Sequence, residues 1–252
     1  MAVASSLDAE ARRESIIEEL KQRGSLHLID VAAQWNVHPM TIRRDFDAFV
    51  IAGIGRRVRG GVVAVGQDDF SQRQHQNASA KQTISTKLLA FVEPDMAIAL
   101  DSSTTVYAFA QALTTTGISA ISNGLSTFQT LYKRPGIKAY LTGGEHEETN
   151  LSLVGSLAVQ SIQQFTLDAC FLSTMNIDPV FGTSELTLEQ VGVKQAMVEA
   201  AQKVILAVDS SKFATRARFR SLPLSSIDVL VTELNPADPR LDIYRERIPE
   251  IR

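Results

Sequence analysis

The sequence predicts an α/β protein in two parts, an N-terminal winged helix-turn-helix and a mostly parallel α/β domain. Three observations predict it. Residues 37–45, VHPMTIRRD, place two adjacent arginines one turn into a short helix that follows a tight helix-to-helix break. The next stretch, IGRRVRGGVVAV, sets arginines among glycines and β-branched residues, as a two-stranded hairpin or wing would. From residue 79 onward, short apolar runs alternate with helical segments, the pattern of a parallel sheet covered on both faces. A chain of 252 residues is long enough for two domains, each with its own core.

Taken in order, residues 8–23 read as a first helix that buries Ile16, Ile17 and Leu20 and stops at Gly24. In LHLIDVAAQWN, Leu28, Val31, Ala32 and Trp35 recur at helical spacing, so a short helix with one buried face is expected. Asn36 tolerates the left-handed backbone needed to turn sharply after it, and Val37 then plugs the core. His38 takes the cap position of the next helix. Pro39 takes its first turn, where a missing N–H costs nothing. Ile42, Phe46, Phe49 and Val50 line one face of that helix. Thr41, Arg43 and Arg44 fall largely off the stripe and, with Met40 and His38, are placed to meet a partner. Gly53 is expected to end the helix as a left-handed cap, and Arg56, Arg57 and Arg59 ride on the wing.

The charge distribution points the same way. From Thr41 to Gly61 five arginines stand against two aspartates, although the whole chain is formally −3. Residues 1–66 hold nine Lys/Arg and eight Asp/Glu, leaving 16 and 20 for the rest, so the positive charge is gathered in one place. A local basic patch attracts phosphates because each neutralised phosphate releases condensed counterions. Helix, short turn, helix, with cations near the start of the second helix, is the arrangement that enters a major groove. An isolated arginine pair would more simply be a solvated helix face. The turn before it and the wing after it make double-stranded DNA the expected partner.

Composition limits the other classes. Hydrophobic content of 44% and charged content of 21% are ordinary for a globular protein. Cys170 is the only cysteine and sits in the apolar run DACFL, so it is expected in a buried strand. No Cys/His cluster has zinc spacing, and neither a metal nor a cofactor is expected. The first residues, MAVASSLDAEARRES, lack an apolar leader, and no run approaches membrane-spanning length. A cytoplasmic protein with no membrane partner is the expectation.

The winged head is assigned to residues 1–66, a polar linker to 67–78 with His75 as a linker residue, and the α/β domain to 79–252. In that domain a helix over 79–91 leads through EPD into strand 96–100. Further strands are expected at 118–121, 137–141, 169–172, 204–208 and 229–231, with helices at 106–113, 125–132, 157–163 and 188–202. Polar residues follow the strands: Asp101-Ser102-Ser103-Thr104-Thr105, then Ser122-Asn123-Gly124, then Thr142-Gly143-Gly144, and Asp209-Ser210-Ser211-Lys212. In open parallel sheets such ends converge on one crevice, where ligands bind. Hydroxyls and N–H groups at helix starts suit an oxyanion. Asp101, Asn123 and Asp209 can bond sugar hydroxyls, while Lys194 or Lys212 can offset phosphate charge. Each loop taken alone could equally be a plain helix cap. Four together favour a polyhydroxylated, phosphorylated small molecule.

These residues carry a resemblance. LHLIDVAAQWNVHPMTIRRDF followed by RRVRGG, then DSSTT, the SNG turn, LTGG, the helix LEQVGVKQAM and the closing VDSSKF are similar to the DeoR family of bacterial transcriptional regulators. The likeness spans nearly the whole length. It implies a winged helix-turn-helix joined to a sugar-phosphate-sensing domain with a ribose-phosphate-isomerase-like fold. It also implies repression of a carbohydrate or nucleoside catabolic operon, relieved by a phosphorylated sugar, deoxyribose 5-phosphate being one candidate. The chain departs from the family pattern at several positions. His38 stands where serine is usual, Arg59 where histidine often precedes the paired glycines, and Ser103 at the usual glycine of DSGTT. Ser173 and Asn176 stand where glycines are common, and Gln190 where an acid is common, with Glu189 beside it. A dimer or tetramer is expected, since paired half-sites need paired heads. The alternative is a sugar-phosphate isomerase-like enzyme with an accessory DNA module, its acid/base set drawn from Asp101, Glu189 and Lys194, with Lys212 as a charge clamp.

Overall fold

The computed structural model describes residues 2–52, 54–58, 60–64 and 70–252. The chain separates into two compact units, Met1–Gln72 and Arg73–Arg252.

The first unit runs α1 (Ala2–Arg23), β1 (Ser25–His27), α2 (Leu28–Gln34), α3 (Pro39–Ile51), β2 (Gly55–Val58) and β3 (Gly61–Ala64). Its helices close over a three-stranded antiparallel sheet of order β1-β3-β2. The expected wing is thus β2–β3, widened by a third strand that the three residues SLH give no periodicity to reveal. Ile16, Leu20, Leu26, Val31, Ile42, Phe46, Phe49 and Val62 form the core. Each such side chain contributes about 1.5–3 kcal/mol on burial, against about 1 kcal/mol for a helix cap. Packing of the apolar stripe therefore dominates the placement of α3. Val50, expected on that stripe, is 37% exposed, because the i+8 position has drifted to the edge of the buried face. The expected cap at Gly53 lies outside the described residues. Gly61 is where β1 crosses closest to β3: a Cβ there would come within 2.1 Å of the Leu26 carbonyl oxygen.

Of the expected linker, 67–69 lie outside the described residues, and α4 (Phe70–His75) is helical, with His75 exposed at its end.

The second unit opens with α5 (Ala78–Leu88), β4 (Ala97–Leu100), α6 (Thr104–Ala112), β5 (Ile118–Ser122), α7 (Leu125–Leu131) and β6 (Ile137–Leu141). A hairpin of β7 (Glu145–Glu147) and β8 (Ser152–Val154) precedes α8 (Ser156–Gln163) and β9 (Leu167–Leu172). Then come β10 (Asn176–Asp178), β11 (Gly182–Glu185), α9 (Leu188–Ala200), β12 (Ala201–Ala207), β13 (Phe219–Arg220), β14 (Val229–Val231), α10 (Asp242–Arg245) and β15 (Glu250–Ile251). Seven strands form one sheet in the order β15-β14-β12-β9-β4-β5-β6, with every neighbouring pair parallel. Successive residues of each strand serve opposite cores. Ala99, Cys170, Leu172 and Leu206 pack with Ala158, Val193 and Met197 of α8 and α9. Ile98, Leu100, Phe171 and Ile205 pack with Ile84, Leu88, Val106 and Phe109 of α5 and α6. Burial on both faces is why these strands read as continuous apolar runs. Cys170 is buried in β9, as expected. β10, β11 and β13 form a small antiparallel sheet that the sequence pattern did not announce.

The order reverses direction between β4 and β9, which makes that pair the topological switch point, the place where open α/β sheets leave a crevice.

Candidate functional site

In the first unit, α2 ends in a Schellman turn. Asn36, at φ 49°, bonds its N–H to the Ala33 carbonyl, and Val37 bonds back to Ala32 at 3.0 Å. That reversal sets the start of α3. His38 sits there in extended conformation, and its Nδ1 accepts the Met40 N–H at 3.2 Å, so the imidazole takes over the capping role of the usual serine. Met40, Arg43 and Arg44 are exposed, Met40 at 48%, and Thr41 is half-buried among them. The outward face of α3 thus carries the predicted reading residues.

Two nearby charges behave differently from a simple tally. Asp45 is 1% exposed and accepts from Arg12 Nε and Nη2 at 3.0 and 2.8 Å and from Arg13 Nε at 2.7 Å. It does not oppose Arg43 and Arg44 at the surface but ties α1 to α3. Arg57, expected to reach DNA from the wing, bonds Asp47 at 2.6 Å and the Arg43 carbonyl at 3.3 Å. It fastens the wing to α3. Arg56 lies in β2, and its side chain, like all of Arg59, is outside the described residues.

In the second unit, Asp101 spans the switch point. Its Oδ1 accepts the Ser103 N–H at 2.9 Å and its Oδ2 accepts the Ser173 N–H at 2.8 Å, joining the ends of β4 and β9. Lys194 reaches in from α9 and lies 2.8 Å from Glu185 and 3.4 Å from Asp101, and it also donates to the Ser173 carbonyl at 2.6 Å. Burial alone would pull its pKa down, but the Glu185 and Asp101 carboxylates outweigh it and hold the ammonium above its ordinary value. Lys212 donates to Ser173 Oγ at 3.2 Å and to the Thr174 carbonyl at 2.8 Å. Asp209 starts the turn that carries Lys212.

Ser102, Thr104, Thr105, Ser122 and Asn123 are all buried at the ends of β4 and β5. Several are occupied with local structure: Ser103 caps α6 through Val106 N at 3.1 Å, and Ser122 Oγ accepts from Gly124 N at 3.0 Å. A Cβ at Gly124 would come within 2.9 Å of Ser102 Cα, so only glycine lets the two loops meet. Gly143 gives its N–H to Ser161 at 3.2 Å, and Gly144 has φ 131°. Among the described residues, Thr105 Oγ1, Asn123 Oδ1 and Thr142 Oγ1 are buried with no hydrogen-bond partner. A buried polar atom without a partner costs on the order of 1–3 kcal/mol. Three at adjacent strand ends suit a ligand rich in hydroxyls or oxyanion oxygens.

Glu189 corrects the expectation. It is exposed in the first turn of α9, and the carboxylate beside Lys194 comes from Glu185. One helical step of about 100° separates Glu189 from its buried neighbour Gln190. Gln190 donates through Nε2 to Glu147 and to Ser152 Oγ, the latter at 3.0 Å. Glu147 also accepts from Asn150 at 2.6 Å, Ser152 at 3.0 Å and Thr187 at 3.1 Å, which closes the β7–β8 hairpin onto α9. Sequence reasoning missed Glu185, Glu147, Asn77 just before α5 and Lys81 within it. Glu185 ends the four-residue strand β11, which leads into the helix that carries Lys194, and so short a strand gives no periodicity to reveal it.

Among the described residues, no helix is long and apolar enough to cross a membrane, and no group of three or more His, Cys, Asp or Glu is placed to hold a metal ion.

A winged head with an exposed basic helix, followed by a parallel α/β unit with buried polar and charged residues at its switch point, fits a DNA-binding regulator with a sensing domain. The chain matches the DeoR-like helix-turn-helix domain over residues 12–68 and the DeoR C terminal sensor domain over residues 76–234. It belongs to the DeoR family of transcriptional regulators. It is 29% identical over 239 residues to the deoxyribose operon repressor of Escherichia coli (strain K12), covering 91% of this chain and 94% of that protein. It is 27% identical over 231 residues to the L-fucose operon activator of Haemophilus influenzae, covering 90% of this chain and 93% of that protein. Among solved structures, ribose 5 phosphate isomerase A from Neisseria gonorrhoeae matches with a TM-score of 0.38 and 15% identity, over 54% of this chain and 53% of that one.

Proposed function

We propose that this regulator represses a carbohydrate or nucleoside catabolic operon and leaves its operator when a phosphorylated sugar binds the second unit. The observation that carries the sensing half is the set of partnerless buried oxygens of Thr105, Asn123 and Thr142 in the segments that follow β4, β5 and β6, together with the Asp101, Lys194 and Lys212 cluster at the switch point. Hydroxyl-rich ligands satisfy the former, and an oxyanion balances the latter. On the DNA side, His38, Met40, Thr41, Arg43 and Arg44 are assigned to base edges and nearby phosphates. Arg56 and Arg59 are assigned to the backbone or minor groove, and Arg57 orients the wing through Asp47. Asp101, with both oxygens engaged by main-chain N–H groups, acts as a binding scaffold in this reading and not as a catalytic acid or base.

The test has two arms. Arg43→Ala is expected to weaken operator binding by on the order of 1–3 kcal/mol and to relax base preference at one position. Equal gel-shift midpoints for variant and wild type in matched salt would remove Arg43 from the reading surface. A thermal-shift screen of free and phosphorylated sugars is expected to return a phosphorylated hit that also releases operator DNA. Turnover of such a sugar would instead revive the isomerase-like alternative.

A further inference from the structure

The start of the second unit carries a buried cation outside the predicted site. Lys81, in α5, is 5% exposed, and its Nζ donates to the main-chain carbonyls of Arg73, within α4, and of Gln76, just past its end, the latter at 2.7 Å. Carbonyls at a helix C-terminus attract an ammonium but do not neutralise it. Burial first, then the Lys212 ammonium, lowers the Lys81 pKa to about 8, with Asp209 opposing and Arg73 adding to the fall. Asp209 is itself already engaged. Its Oδ1 accepts Asn77 Nδ2 at 3.0 Å, the Ser211 N–H at 3.2 Å and the Ser211 hydroxyl. Asn77 also bonds Ser211 Oγ at 3.1 Å, and its carbonyl accepts the Lys81 N–H at 3.0 Å. The start of α5 is therefore docked on the turn that carries Lys212.

The two sides of the crevice differ in charge balance. Lys194 has two carboxylates within 3.4 Å. Lys81 and Lys212 donate to neutral oxygens, with Asp209 the carboxylate near both. Lys81 is buried and Lys212 half-buried; Asp209 faces both and Glu185 faces Lys212, while Lys194 and Arg73 add positive charge, so the cluster keeps a cationic surplus that an oxyanion would offset.

We propose that Lys81 is an exchangeable latch: its ammonium caps the carbonyl end of α4 until an oxyanion in the crevice draws it, with Lys212, off those carbonyls. α4 carries Gln72, the last residue of the first unit, and Arg73, the first of the second. Within the first unit Gln72 Nε2 bonds the Lys21 carbonyl of α1 at 2.8 Å. Within the second, Arg73 bonds Asn150 Oδ1 and the Thr149 carbonyl. Releasing the C-terminal end of this six-residue helix loosens the chain segment through which the DNA-reading unit is attached. The inference rests on the proposed phosphorylated effector and names the residue that reports its arrival.

Hydrogen–deuterium exchange on the full-length protein tests it, with inorganic phosphate as the probe and chloride at matched ionic strength as the control. In wild type, phosphate is expected to speed exchange of amides 73–77 by about threefold or more, the sign of a lost local closure. Lys81→Met is expected to exchange fast there with or without phosphate and to bind phosphate about tenfold more weakly by calorimetry. Lys81→Arg, which keeps the charge, should restore slow exchange and remain responsive. Phosphate binding to wild type with unchanged exchange at 73–77 overturns the latch and leaves the effector reading standing. So does a Lys81→Met protein that exchanges like wild type without phosphate. No phosphate binding to wild type overturns the latch as a ligand-operated device, and the separate sugar screen then decides whether the effector reading falls with it.

Discussion

Asp45 shows how a residue's neighbours decide what its charge does. In the sequence it follows two arginines and subtracts from a basic patch. In the fold it turns inward and accepts three hydrogen bonds from Arg12 and Arg13, so the arginines of α1 satisfy it and those of α3 stay exposed. Breaking a fully buried pair costs about 3–5 kcal/mol, because one charge is stranded. Here Arg13 has a side chain 47% exposed and reaches water, so the lower scale of about 1.5–3 kcal/mol for charge-assisted hydrogen bonds applies. Asp45→Ala is expected to destabilise the first unit by that amount. Trp35, the only tryptophan, lies in that unit and reports its urea unfolding by fluorescence. An unshifted midpoint would show that the α1–α3 tie contributes nothing.

At the scale of elements, most helices and core strands were legible, while α4, α10, β15 and the other short strands were not. α3 could be read because its apolar spacing, proline and polar cap agree. β1, β10, β11 and β13 are two to four residues long, too short for an alternation to register. The same shortness hid Glu185, which ends β11 and supplies the carboxylate assigned by sequence to Glu189. The hairpin β7–β8 was hidden too, and with it the reason for Gln190. The family often has an acid at that position, but here Glu147 of β7 already brings a carboxylate, and an amide is what can donate to it. Gln190→Glu would set a buried carboxylate against the half-buried one of Glu147 and remove two donated hydrogen bonds. The expected cost is about 1–3 kcal/mol at neutral pH. Mutual repulsion raises the folded-state pKa of the pair above its unfolded value, so the loss is full at high pH and shrinks as protonation removes one charge on acidification. Calorimetric melting at pH 7 and pH 5 checks this. A loss that grows on acidification would contradict the assignment.

For the whole molecule, one small head with a handful of exposed cations offers few base contacts, while operator recognition by helix-turn-helix proteins uses paired half-sites. The full chain is expected to sediment as a dimer or tetramer and to protect two half-sites about one helical turn, or a multiple of it, apart. A monomer both alone and on operator DNA would rule that out. The sequence by itself determined the two-part architecture, helix α3 with its exposed arginines and the polar residues at the strand ends, because apolar periodicity and cap chemistry are local and survive in one dimension. Only the tertiary structure decided which charges are spent internally: Arg57 on Asp47, Arg12 and Arg13 on Asp45, Lys194 on Glu185, Lys81 on the carbonyls of α4. Those pairings join residues from 5 to 33 positions apart, and a charge's partner depends on which surfaces meet when the chain folds, which no local pattern records.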